Sequence, residues 1–267
     1  MKGGSEPKIL DAACTAIGRF ENFVAGWSDA RPLICFAEQC SGRDSVRMKR
    51  FAKYFAFLVV LCVAAGFGYG VMGYRDAVRQ SDEYAERARA LIAGGRGPAR
   101  LGAERLRQLI LVQDPGYLEH WGLDLSTPGA GLTTISQSLS KRLGFDDFQP
   151  GIGKIRQTGF ALGLESRLDK DQILTLWLDT VEMGRGPDGW MTGFFHASDN
   201  LYGRPPVNLT DYEFHRLLAV LIAPGQYRLL EDDQSLEERV SRIARLVSGN
   251  CSPNDQRDVW LVGCAAS

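Results

Sequence analysis

The stretch that decides how this chain is read is V-Q-D-P-G-Y-L-E-H-W-G-L-D, residues 112–124. It gathers His120, the carboxylates Asp114, Glu119 and Asp124, and the aromatics Tyr117 and Trp121. So many proton-carrying and hydrogen-bonding groups in one short run point to a site. Yet the run opens on Gln113, and an amide can hydrogen-bond a hydroxyl but cannot take its proton.

Outward from that run, the chain has 267 residues, with 31 Lys and Arg against 32 Asp and Glu. A net charge of −1 excludes a globally basic nucleic-acid binder. Hydrophobic residues make up 45%, enough for a packed core. Tyr54 to Gly73 carries no charge and matches the length that a helix needs to cross a bilayer core. A buried core helix is the competing reading. A cleaved signal is disfavoured, because some fifty residues precede the run and no A-x-A site follows cleanly. Arg43, Arg47, Lys49, Arg50 and Lys53 precede the span. Arg75 and Arg79, which follow it, are soon offset by Asp82 and Glu83. The richer basic flank predicts a cytoplasmic N-terminus and an outer domain from about residue 75.

The expected order is a leader over 1–50, a membrane helix over 51–74, the main domain over 75–248 and a tail over 249–267. Ile9 to Trp27 has apolar residues at rough helical spacing. Cys14, Cys35 and Cys40 have no His among them and irregular spacing, so free thiols are expected. Cys251 and Cys264 could close a small loop outside the cell, worth about 3 kcal/mol in the chain-entropy model. Helices are expected over 75–110 with a break at G-G-R-G-P (94–98), after the turn at Gly131, and over 155–168. Asp169 with Gln172, and Thr210 with Glu213, carry capping-box spacing ahead of two more helices. G-R-G-P-D-G (184–189) reads as a loop, and no convincing run of alternating strands occurs.

Four runs follow one another: Gln113–Asp124; G-L-T-T-I-S-Q-S-L-S-K-R at 131–142; Gly153–Glu165; and Asp169–Asp179. L-Y-G-R (201–204) and Ala223-Pro224 with Tyr227 come after them. In this order they resemble the glycosyltransferase family 51 domain, the peptidoglycan glycosyltransferase module of penicillin-binding proteins and monofunctional transglycosylases. The family patterns are E-D-x-x-F-x-x-H-x-G-x-D, G-x-S-T-I-T-Q-Q-x-x-K-N, R-K-x-x-E-x-x-L-A-x-x-L-E and S-K-x-x-I-L-x-x-Y-L-N. The resemblance covers roughly 105–230. It implies a mostly α, lysozyme-like, two-lobed fold behind a single membrane helix, and polymerisation of lipid II at the outer face of a bacterial inner membrane. There the acceptor's C4 hydroxyl attacks C1 of the growing chain's reducing-end sugar, and undecaprenyl pyrophosphate leaves. The first-motif Glu is the base. The third-motif Glu, with basic residues and often a divalent cation such as Mg or Mn, assists at the pyrophosphate.

This sequence departs from the family where the chemistry is done. Both glutamates are glutamines, Gln113 and Gln157, Gly153 replaces the basic residue before Lys154, and Arg142 replaces the second-motif Asn. Only six residues separate Asp124 from Gly131, fewer than the family usually has. Loss of a general base removes about 10²–10⁴-fold in rate. Glu119 is the candidate substitute base. By resemblance the substrate-binding candidates are Asp114, Tyr117, His120, Thr133, Thr134, Gln137, Lys141, Lys154 and Glu165. Each has a structural alternative: solvation for the lysines, capping for Thr134, an ion pair for Glu165. No zinc-type ligand spacing occurs outside the membrane run. The resemblance and these departures together imply a non-catalytic relative that binds lipid II, a glycan strand or another cell-wall synthesis protein. An active transferase using Glu119 is the alternative.

Overall fold

The computed structural model describes residues 31–266, with side chains from residue 50 onward. The amphipathic pattern at Ile9–Trp27 and the thiol of Cys14 lie outside the described residues, as do the side chains of Cys35 and Cys40. The chain divides into two compact units, Met1–Cys62 and Val63–Ser267. Of the first, the described part is helical and belongs to α1 (Arg31–Ala93). The uncharged run lies within α1, which is long and apolar enough to cross a membrane, and none of its most apolar window is buried.

The second unit is mostly helical. The end of α1 is set by glycine: Gly95 at φ 76° lets the Arg96 amide reach Leu91 O at 2.9 Å, a Schellman closure. A short 3₁₀ turn, Pro98–Leu101, leads into α2 (Ala103–Gln113). Then come α3 (Ile135–Leu143), α4 (Gly153–Glu165) and α5 (Lys170–Thr180). After the hairpin β1 (Glu182–Gly186) and β2 (Gly189–Thr192), helices α6 (Phe194–Tyr202), α7 (Asp211–Val220) and α8 (Gln234–Val247) complete the unit.

Both expected capping boxes form. Asp169 accepts from the Gln172 amide at 2.7 Å, and Glu213 returns a bond to the Thr210 amide at 2.8 Å. The G-R-G-P-D-G run, expected as a loop, is instead the turn of an antiparallel hairpin pairing Arg185 with Trp190. Its strands are too short and too glycine-rich to show alternation, so periodicity misses them.

Helix α4 is placed by backbone contact. A Cβ on Gly159 would fall 1.9 Å from Gly70 O, and one on Gly163 would fall 2.6 Å from Tyr74 O. The second half of α1 and α4 therefore meet along a glycine seam, closed by Arg156 Nη2 on Asp76 Oδ2 at 2.9 Å. The core beside it holds Phe160, Leu164, Ile135, Leu139, Ile173 and Leu174, all essentially inaccessible. α3 packs on both α4 and α5, which presents the second and third motifs to one cleft.

Candidate functional site

A cleft of about 550 Å³ opens between these helices and the chain's C-terminal segment. Gln113, at the end of α2, and Gln157, on α4, both line it. So do Thr133, Thr134, Lys141, Arg142 and Lys154. The two glutamines act as donors to the backbone. Gln157 Nε2 gives a hydrogen bond to Gln137 O at 2.6 Å, and Gln113 Nε2 gives one to Leu218 O at 3.3 Å. Gln157 is 1% exposed and its Oε1 has no partner among the described residues. Gln137, a predicted site residue, is also buried with Oε1 unpartnered but does not line the cleft. Arg142 bonds Thr180 Oγ1 at 3.1 Å and Ser138 Oγ at 3.0 Å but leaves Nη2 without a partner. The cleft floor thus holds an unanswered donor and an unanswered acceptor, which in a folded protein are met by ligand or water.

The cationic side is graded by its surroundings. Burial lowers the Arg142 guanidinium to about 10, against the opposing charge of Glu182. Burial, and then the charge of Lys141, lowers the Lys154 ammonium. Lys154 Nζ reaches Thr133 Oγ1 at 3.1 Å, and Lys141 lies over the Phe148 ring at 5.5 Å. An anion in the cleft would relieve the repulsion between the two lysines.

Several first-motif residues do not line the cleft. Asp114 is fully buried, and its carboxylate accepts hydrogen bonds from His120 Nε2 at 2.9 Å and from the Ile135 amide at 2.8 Å. His120 Nδ1 accepts from the Gly122 amide at 3.0 Å. Both ring nitrogens are therefore engaged, and the pair buttresses the start of α3. Thr134 caps that helix and donates to Gly122 O at 2.8 Å. Tyr117 is buried and donates to Lys170 O at 2.6 Å, and burial raises its phenol well above the usual range. Glu165 accepts from Ser136 Oγ and from Lys170 Nζ, the latter at 2.9 Å. It is a buried ion-pair member, the structural alternative that its sequence left open. Glu119 is exposed and does not line the cleft.

Two residues that sequence reasoning missed do line it: Glu182, at the start of β1, and Arg239, on α8. Glu182 is the one carboxylate on the cleft wall among the described residues. Neither lies in a motif, and no local signal points to them. A divalent cation does not fit this lining: the first- and third-motif positions offer amides, Glu182 is a lone carboxylate, and Glu165 is held by Lys170. Asp114, His120 and Asp124 have ligand atoms within 4.8 Å of one another, but the hydrogen bonds described above occupy Asp114 and both nitrogens of His120.

The shortened segment after the first motif is tethered. Asp124 Oδ1 accepts from the Ser126 and Thr127 amides at 3.0 and 2.9 Å. Leu118, Trp121, Leu125 and Leu132, within or next to it in sequence, are all exposed.

A mostly helical unit that carries these four runs in order, with Gln113, Lys154 and Gln157 on one cleft, is the arrangement expected of the family that the sequence resembles. The transglycosylase family model matches residues 101–248, and the chain belongs to that family. A biosynthetic peptidoglycan transglycosylase of Escherichia coli is 28% identical over 150 residues, covering 51% of this chain and 60% of that protein. One of Cronobacter sakazakii is 30% identical over 132 residues, covering 45% and 53%. The chain thus spans little more than half the length of these curated relatives.

Proposed function

We propose that this protein is a membrane-anchored, peptidoglycan glycosyltransferase-like protein whose cleft binds lipid II or a glycan strand without the family's general base. The N-terminus lies in the cytoplasm and the cleft on the outer side of a bacterial inner membrane. Cell-wall substrate, the membrane and other cell-wall synthesis proteins are its partners. One observation carries the reading: at both family Glu positions the side chain is an amide donating to a backbone carbonyl, Gln113 to Leu218 and Gln157 to Gln137. A carboxylate could not make those bonds at neutral pH, so the cleft is built around the glutamines. The unpaired cleft atoms and the graded cations support retained ligand binding.

The test is lipid II polymerisation by the full-length protein in detergent, beside binding of labelled lipid II. Binding without glycan product is the expected result. Glycan chains from the wild type would refute the non-catalytic reading. They would also send the search for a base to Glu182, which lines the cleft, before Glu119, which does not. Glu182→Gln would then abolish turnover.

A further inference from the structure

The cleft is lined by a further cation, Arg239, whose surroundings differ from those of Lys141 and Lys154. Arg239 on α8 is 3% exposed and lines the cleft. Its Nε and Nη1 are buried with no hydrogen-bond partner among the described residues. A guanidinium carries five donors and is always charged, so leaving it unanswered in a buried place is strongly unfavourable.

The acids around it do not answer it. Burial works against the charged guanidinium, Tyr227 and Asp258 favour it and Arg242 opposes it, but the Asp258 carboxylate is spent on the tail's own backbone. It accepts from the amides of Asn254 at 3.0 Å, Val262 at 2.6 Å and Gly263 at 2.9 Å. The wall beside Arg239 is made by that tail, which lies beyond the stretch matched by the family model. Cys251 and Cys264 are joined by a disulfide. The Gly129 amide donates to Asp255 O at 2.9 Å, and the Gly131 amide to Gln256 O at 2.8 Å. Gln256 Nε2 returns bonds to Asp124 O and Gly131 O at 3.0 and 2.9 Å. A Cβ on Gly131 would lie 2.5 Å from Val259 Cγ1, so the tail packs directly on the shortened loop. Gly129, Gly131 and Val259 all line the cleft with Arg239.

We infer that Arg239 is the centre of an oxyanion subsite in the part of the cleft that the tail lines, taking a carboxylate or phosphate group of the bound cell-wall ligand. The inference rests on the cleft being a ligand site and names the chemistry recognised in one part of it. A planar guanidinium suits either group, because both present paired oxygens. In the free protein the charge is retained at a cost, and the ligand's anion removes it.

The experiment uses full-length protein in detergent, wild type and Arg239→Met. The probes are inorganic pyrophosphate, muramyl dipeptide and the methyl ester of that dipeptide. Without ligand, Arg239→Met is expected to raise the melting temperature by about 2–4 °C or more, since it removes an unpaired buried charge. It is expected to weaken one anionic probe by about tenfold or more. Weakening of pyrophosphate alone assigns a phosphate. Weakening of the dipeptide, with the ester already weak on the wild type, assigns a carboxylate. Arg239→Lys keeps the charge and removes the fork, and should lie between. Unchanged affinities in Arg239→Met, binding of neither anion by the wild type, or a lowered ligand-free melting temperature would each overturn the subsite. Loss of lipid II binding in the wild type itself would instead refute the reading of the cleft.

Discussion

Restoring the family's two glutamates one at a time should give unequal results. Gln113 is half-buried, and its hydrogen bond to Leu218 O is long at 3.3 Å. Gln113→Glu removes one weak donor and should cost about 0.5–1.5 kcal/mol. At about 2–4 °C per kcal/mol for a unit of this size, the melting temperature falls by about 1–6 °C. Gln157 is 1% exposed, donates to Gln137 O at 2.6 Å, and already has Oε1 unpartnered. An ionised Glu there places two unanswered oxygens against a carbonyl, costing about 3 kcal/mol or more, or about 6–12 °C. Protonated, the carboxyl can donate to Gln137 O and the penalty vanishes. The folded-state pKa of Glu in Gln157→Glu is therefore raised above the unfolded value. Stability is intact below about pH 4.3 and is lost as pH rises through the folded pKa. Circular dichroism melts of both single variants at pH 4 and pH 7.5 read this directly. A Gln157→Glu protein melting within about 2 °C of wild type at pH 7.5 would refute the reasoning. It would mean that Arg142 or Lys154 had turned to meet the carboxylate. Gln113→Glu is accordingly the variant in which to seek restored transfer.

Three further outcomes are expected. Gly159→Ala drives a methyl to 1.9 Å from Gly70 O, and should cost about 1–3 kcal/mol or more and lower the melting temperature; a neutral result would remove the glycine seam as the contact that places α4. Burial holds the His215 imidazole below its usual pKa, opposed by Asp211 and aided by Arg105. Stability is then full above about pH 6.5 and falls as pH drops through it, by up to about 1.4 kcal/mol per unit, and His215→Leu should flatten that slope in urea titrations. Removing the Cys251–Cys264 bridge by Cys251→Ser/Cys264→Ser should cost about 3 kcal/mol in thermal or denaturant unfolding, and an unchanged midpoint would make the tail independent of it.

What the sequence by itself determined is local or ordered along the chain. The uncharged run that becomes part of α1 is a property of consecutive residues. The two capping boxes depend on side chains three positions apart, and both form. The succession of four motifs carries the family and the mostly helical fold with it, and the exchange of glutamate for glutamine at two positions is visible in the letters alone. Only the tertiary structure decided which residues share the cleft. Asp114 and His120 look like acid–base chemistry in sequence, but their hydrogen bonds to each other and to the starts of neighbouring segments turn them into a buttress. Glu165 is claimed by Lys170, and Glu119 lies off the cleft. Glu182 and Arg239 reach the cleft from a hairpin and a helix far along the chain, brought there by packing that no local spacing encodes. A side chain's chemistry depends on what desolvates it and what it is paired with, and those partners are distant in sequence.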